Sequence, residues 1–248
     1  MERKIRVGAV SYLNTKPLLY GIQRSSIMDD IVLKIDYPSR IAAMLLHDEI
    51  DLGLVPVAII PEMTSYHINT DYCIGCKGPI ASVCLFSELP LDKVEKILLD
   101  YQSRTSVVLA KILLKEYWKV QPEFIHAGED FTERIKGTVA GLVIGDRALE
   151  QRKRSPYIYD LGEAWKQLTG LPFIFAAWVS NKKLDDAFIG EFNIANGMGL
   201  HHIESVLQEL NYDVFNLHDY YTRYISYELD AAKKEGLELF LQKLKQSM

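Results

Sequence analysis

Small hydrogen-bonding residues cluster where apolar runs give way to helix-like stretches: Ser11–Asn14 (with Tyr12), Ser39–Arg40, Ser103–Ser106 (with Thr105) and Gly145–Asp146. Ser82 adds a hydroxyl within another apolar run. A helix N-terminus leaves backbone N–H groups without intrahelical partners and carries partial positive charge. Such an end suits a carboxylate or a phosphate. Several of them facing one cleft would grip a small molecule with more than one acidic group, and Arg40 and Arg104 can add charge-assisted bonds. Plainer readings stand beside this one. Ser39 and Ser103 also read as simple N-caps, and Asp146 as a cap of the run RALEQRKR. Asn14 follows a buried-type strand at a point where the backbone turns, a position that favours ligand contact.

Other chemistries find less support. Cys73 and Cys76 form CIGC, which reads either as a redox pair or half a zinc site, or as two small residues beside a strand. No second CxxC and no histidines at ligand spacing complete a metal set, which favours the second reading. His201 and His202 are adjacent and cannot share a helix face. His47 falls late in a helix-like run, and His67, His126 and His218 have no visible partner. The sequence carries no nucleophile elbow, Walker loop or HExxH motif. The chemistry expected is therefore without metal, organic cofactor or strong base. Tyr220, Tyr224 and Tyr227 recur at helical spacing, which reads as core or lobe packing ahead of a stacking platform.

The elements that must position these residues alternate between strand and helix. Short apolar runs predict strands at 5–10, 31–38 and 51–60, with helices at 15–21, where Pro17 falls in the first turn, and at 39–50. That βαβαβ order implies a parallel sheet covered by helices, an α/β fold. Further strands are expected at 80–87, within KILLD, in PEFIHAG, at 141–149 and at 173–181, with a helix over SRTSVVLAKILLKEYW and two helices from Thr222 to Met248. The long runs near 80–87 and 173–181 bracket a βα-type middle. They suggest two lobes joined by two crossovers, residues 1–85 with 180–248 forming one and 86–179 the other, with a ligand cleft between them.

Composition sets the outer limits. The chain has 248 residues, is 48% apolar and carries a formal charge of −5, enough for a full core and too mild a balance to point to nucleic acid. No apolar run approaches the roughly 20 residues of a membrane span, and the one near the N-terminus is too short for an export signal. With three cysteines, an odd number, a cytoplasmic protein without a disulfide framework is expected.

SYLNTKP, YPSR, DLGLVPVA, SVCLFS, SRTS, GLVIGDRAL and DLGEAWKQLTGLPFIFAAW occur in the order seen in the chorismate dehydratase family, which opens the futalosine route to menaquinone. The resemblance covers about residues 5–182 and is carried by the motifs together. It implies the two-lobed type II fold of periplasmic binding proteins. It also implies a cofactor-free reaction in which chorismate loses water to give 3-[(1-carboxyvinyl)oxy]benzoate. By motif, Asn14 and Ser82 resemble the catalytic pair. Ser39, Arg40, Ser103, Thr105 and Ser106 look like carboxylate-binding groups, with Ser11 and Tyr12 beside them. Gly145 and Asp146 would line the opposite lobe, although a free Asp146 carboxylate would repel a dianion unless paired or protonated. A small-molecule substrate is the expected partner, in a monomer or homodimer, with neither nucleic acid nor membrane. The rival readings are a non-catalytic anion-binding protein, a ligand-sensing domain, and the cyclic dehypoxanthinyl futalosine lyase of the same route. The lyase's first strand ends in a motif resembling SPCPNDT, where this chain has SYLNTKP.

Overall fold

A computed structural model describes residues 3–247. Its strands form two mixed sheets. The first contains β1 (Ile5–Val10), β2 (Ile31–Asp36), β3 (Leu52–Pro56), β4 (His67–Cys76), β10 (Phe173–Ser180) and β11 (Ser226–Glu228), in the order β11-β4-β10-β3-β1-β2. The second contains β5 (Val83–Ser87), β6 (Lys96–Leu99), β7 (Glu123–His126), β8 (Val139–Ile144) and β9 (Tyr157–Asp160), in the order β7-β6-β8-β5-β9.

The expected βαβαβ unit is present: β1 runs parallel to both β2 and β3. Helix α1 (Lys16–Arg24) follows β1, and α2 (Pro38–Leu46) follows β2. Every residue of β3, β5 and β10 is buried, as continuous apolar runs covered on both faces should be. Gly8 of β1 shows how close the cover lies. A Cβ there would sit 2.6 Å from Ile50 Cδ1 and 2.9 Å from Ile41 Cγ2, so a side chain at this point would push α2 off the sheet.

Two loci differ from the sequence expectation. The runs expected to bridge the lobes each lie within a single sheet, and the chain changes sheets just before them, at residues 77–82 and again between β9 and β10. The C-terminal stretch is not two helices. After α6 (Asp186–Leu200) and α7 (Ile203–Gln208), a short turn of α-helix, α8 (Leu217–Asp219), runs into a π-type turn over Tyr220–Tyr224. Residues 226–228 then form the edge strand β11 before α9 (Ala231–Ser247). A three-residue strand is too short to show a period, so the tyrosine spacing looked helical. Met248 lies outside the described residues.

The remaining helices, α3 (Thr105–Leu113), α4 (Asp146–Gln151) and α5 (Leu161–Thr169), belong to the second sheet's half. One hydrophobic cluster runs through both halves, joining Val7 and Leu54 of the first sheet to Leu85 and Leu142 of the second. Among the described residues, no helix is long and apolar enough to cross a membrane.

Candidate functional site

A narrow pocket of about 50 Å³ lies where the two sheets face each other. Tyr12, Asn14 and Thr15 reach it from the β1–α1 corner, Pro38 from the start of α2, Pro56 from the end of β3, and Phe175 from β10. From the other half come Val83, Ile144, Gly145 and the first turn of α3 with its approach, Ser103, Thr105 and Ser106. The N-terminal ends expected from the sequence therefore do meet at one hollow, and they come from both sheets.

Several polar lining groups have defined partners. Thr15 Oγ1 donates to Asn14 Oδ1 at 3.1 Å, which leaves the Asn14 amide nitrogen free to donate. The Asn14 carbonyl accepts the Tyr227 hydroxyl at 2.8 Å. Ser103, one residue before the Arg104 N-cap, accepts the Ser106 N–H on its Oγ at 3.1 Å and so partners one of the free N–H groups of the first turn of α3. Thr105 Oγ1 accepts the Ala58 N–H at 3.1 Å, so its own hydrogen remains available. Gly145 has φ +65°, and a Cβ there would lie 2.9 Å from the Tyr12 ring, so glycine is what lets that ring form the wall.

Other residues singled out from the sequence lie beside the pocket, outside its lining. Ser11 is exposed, and its N–H joins the Asp36 carbonyl at 3.0 Å. Ser39 is the second residue of α2 and caps nothing, because Tyr37 occupies the N-cap and Pro38 begins the helix. Its hydroxyl donates to the Tyr101 carbonyl across the gap at 3.4 Å. Arg40 is exposed one residue further along. Arg104 directs its guanidinium to Glu62 at 3.0 Å. The lining thus contains no arginine or lysine, and any anion there is met by peptide dipoles, hydroxyls and one amide.

Asp146 does not cap α4, where Gly145 holds the N-cap position. Its carboxylate accepts the Leu13 N–H at 3.0 Å from the opposite half. Burial pushes this carboxyl up to about 6, with the Leu13 N–H and Lys16 pulling the other way.

Ser82 is fully buried one residue behind Val83, and its Oγ accepts the Tyr220 hydroxyl at 2.7 Å. The preceding residue, Ala81, has φ +63°, a strained conformation for a residue with a Cβ. Its surroundings hold it there. Asp160 accepts the Ile80 and Ala81 N–H groups at 3.0 and 2.8 Å, and Arg152 donates to the Ala81 carbonyl at 3.2 Å. Gly145 N–H closes the turn by donating to the Ser82 carbonyl at 2.8 Å.

A second polar network fastens the wall. Tyr12 donates to Gln102 Oε1, which also accepts from Arg147 at 3.0 Å. Arg147 pairs with Asp100 at 2.8 Å, and the fully buried Asp100 carboxylate also accepts the Ile144 and Gln102 N–H groups. Burial pushes Asp100 up from the usual carboxylate value, against the pull of Arg147.

Thr15 and Phe175 are not among the residues the sequence points to, and Tyr220 and Tyr227 read there as core or lobe packing. Thr15 carried a signal in the polar run SYLNT. Phe175 did not, because an apolar strand residue facing a pocket looks like one facing a core. Cys73, Cys76 and Cys84 are buried, and burial pushes each thiol up. Among the described residues, no three histidine, cysteine or acidic side chains gather as a metal site.

A family model described as menaquinone biosynthesis matches residues 5–246. A chorismate dehydratase from Thermus thermophilus is 27% identical over 195 residues, covering 71% of this chain and 70% of that protein. A chorismate dehydratase from Campylobacter jejuni is 23% identical over 246 residues, 96% of each. Among solved structures, the Candida albicans CA3427 gene product, described as having the generic periplasmic binding protein fold, matches with a TM-score of 0.65 at 13% identity, covering 99% of this chain and 90% of that one. That likeness establishes the same two-lobed α/β fold here.

Proposed function

The chain belongs to the menaquinone biosynthesis family, and from that premise we propose that it is a chorismate dehydratase, converting chorismate to 3-[(1-carboxyvinyl)oxy]benzoate and water in the cytoplasm. Two relatives of that name align over most of the chain. The observation that carries the reading is the meeting of Asn14 with the α3 N-terminus at one cation-free pocket.

The substrate is a cyclic dianion. Its C3–H bond is activated through the conjugated ring carboxylate, and loss of the C4 hydroxyl makes the ring aromatic. The C3–H electrons become ring π-electrons as the C4–O bond breaks, and the departing hydroxyl leaves as water once protonated. With so favourable a product, positioning and preorganised dipoles can supply much of the rate. In this reading the α3 N-terminus, with Ser103, Thr105 and Ser106, holds one carboxylate. The free amide N–H of Asn14 polarises the departing hydroxyl. Ser82 donates its hydroxyl hydrogen toward a carboxylate, and the substrate's own enolpyruvyl carboxylate takes the C3 proton. A cation in the pocket would bind the dianion more tightly in ground state and transition state alike, with no gain in kcat.

Incubation with chorismate tests this. Mass spectrometry should show loss of one water with the ultraviolet absorbance of a substituted benzoate. Asn14→Ala and Ser82→Ala should each lower kcat about a hundredfold, the scale for removing one preorganised donor, with melting temperatures close to the parent's. Tight binding without turnover would sink the dehydratase reading, and near-normal rates in both variants would sink the assignment of the pair.

A further inference from the structure

The two residues assigned to catalysis lie in different halves of the molecule, yet one segment holds both. Tyr220 donates to Ser82 Oγ at 2.7 Å and Tyr227 donates to the Asn14 carbonyl at 2.8 Å. Only six residues separate these tyrosines. Both are buried, Tyr220 completely and Tyr227 to 7% exposure.

We propose that Tyr220 and Tyr227 are positioning residues, together forming a strap that fixes the Ser82 hydroxyl and the Asn14 corner in one register. The inference rests on the dehydratase reading of Asn14 and Ser82. By donating, Tyr220 occupies an acceptor site of Ser82 and leaves the serine's own hydrogen free for another acceptor. The hydroxyl chain also polarises Ser82 into a better donor. Tyr227 fixes the peptide that carries the Asn14 side chain, and so the direction of its amide.

The strap is itself anchored. Lys233, buried in α9, donates to Ser226 Oγ at 2.7 Å and to the Glu228 carbonyl, the neighbours on either side of Tyr227. At the other end, the π-type turn closes with Ile225 N–H on the Tyr220 carbonyl at 3.0 Å. Wide turns of this kind are rare and often occur at functional sites. Tyr221, next in the chain and 3% exposed, provides a contrast: among the described residues its buried hydroxyl has no hydrogen-bond partner.

Steady-state kinetics on Tyr220→Phe, Ser82→Ala and the double variant test the proposal, with Tyr227→Phe as an independent second arm and Tyr221→Phe as control. Tyr220→Phe should lower kcat about tenfold, the rate equivalent of one neutral hydrogen bond, with KM changed less than about twofold. In the Ser82→Ala background the same change should alter kcat less than about twofold, because the group it positions is gone. Tyr227→Phe should likewise lower kcat in the parent and not in the Asn14→Ala background. Tyr221→Phe should keep the parental kcat. An equal loss from Tyr220→Phe with and without Ser82 would overturn the strap, as would full activity of both tyrosine variants beside a slow Ser82→Ala. If Ser82→Ala itself kept its rate, the assignment of Ser82 would fail first, a result the strap variants cannot mimic.

Discussion

A carboxylate beside a pocket for a dianion needs a reason to be there, and Asp146 has one: it receives the Leu13 N–H from across the cleft. An acceptor is required at that spot, whereas a charge is not. The groups facing it are Lys16 and Arg147, which favour ionisation, Glu150, which opposes it, and the phenols of Tyr12, Tyr212, Tyr220 and Tyr221. Burial dominates and lifts the carboxyl to about 6. A folded value above the unfolded 3.8 means that folding favours the protonated form. Asp146 therefore contributes most below the unfolded value, and the contribution disappears as pH rises through about 6. Asp146→Asn keeps an acceptor oxygen without the titration. Melting curves of the two proteins should draw apart as pH rises from about 4 to 7, the parent losing ground to the variant; a constant difference would contradict the assignment. Gly145 gives a second prediction at this scale. Gly145→Ala places a Cβ in a left-handed conformation against the Tyr12 ring. It should lower unfolding free energy in urea by about 1–3 kcal/mol and raise KM as the pocket wall shifts.

Among the elements, the crossing at residues 77–82 carries the most structural demand, because it delivers Ser82 through the strained Ala81. Asp160 is its anchor. One carboxylate caps α5 through Gly162 and Glu163 and also binds the Ile80 and Ala81 amides. Asp160→Ala removes a helix cap and strands two backbone donors, so a loss of about 2–4 kcal/mol is expected in urea unfolding. The kcat should fall in the same variant, because Ala81 is free to relax and Ser82 follows it. Asp160→Asn, which keeps an acceptor, should lose less on both measures. Nothing in the local sequence marks Asp160 for this work, since its partners lie 79 and 80 positions away. The βαβαβ start, by contrast, was legible, because β1, β3 and the helices between them announce themselves by apolar runs, Pro17 and a period. Asn14 was legible too, because a polar corner after a buried strand is a local signal. Strand β4 was not, since its first half mixes exposed, half-buried and buried positions without a period among mostly polar types, and β11 is too short to show a pattern. Ser39 and Asp146 were read as caps because both stand at a helix start. Their real partners, the Tyr101 carbonyl and the Leu13 N–H, are distant in sequence.

For the whole molecule, the two sheets are shut against each other around the pocket. Leu13 meets Asp146, Tyr12 meets Gln102, Ser39 meets Tyr101, Ala58 meets Thr105 and Glu62 meets Arg104. A substrate must enter such a pocket through an opening of these contacts, and each contact differs in what opening costs. The Arg104–Glu62 pair is half-exposed on both sides, so its contribution is about 0.2–1 kcal/mol and screened by salt. The Ala58–Thr105 bond is different. Thr105 is 2% exposed and Ala58 7%, so in the closed form the Ala58 N–H can be met only by Thr105 Oγ1, whereas in an open form water meets it. Thr105→Val preserves shape and removes the acceptor, which penalises the closed form by about 1–3 kcal/mol and leaves the open one untouched. The closed-to-open ratio should therefore fall by about fivefold to about a hundredfold. Small-angle scattering of the ligand-free variant should report a larger radius of gyration, and KM for chorismate should rise more than kcat falls. Thr105 also lines the pocket, so lost substrate contact alone could raise KM; the radius of gyration separates the two causes, because direct contact cannot change it in the absence of ligand. Thr105→Ser keeps the hydroxyl and should restore both readings, while Glu62→Gln should move KM by less than about threefold and lose even that effect in high salt. An unchanged radius of gyration in Thr105→Val would show that this buried bond does not govern closure.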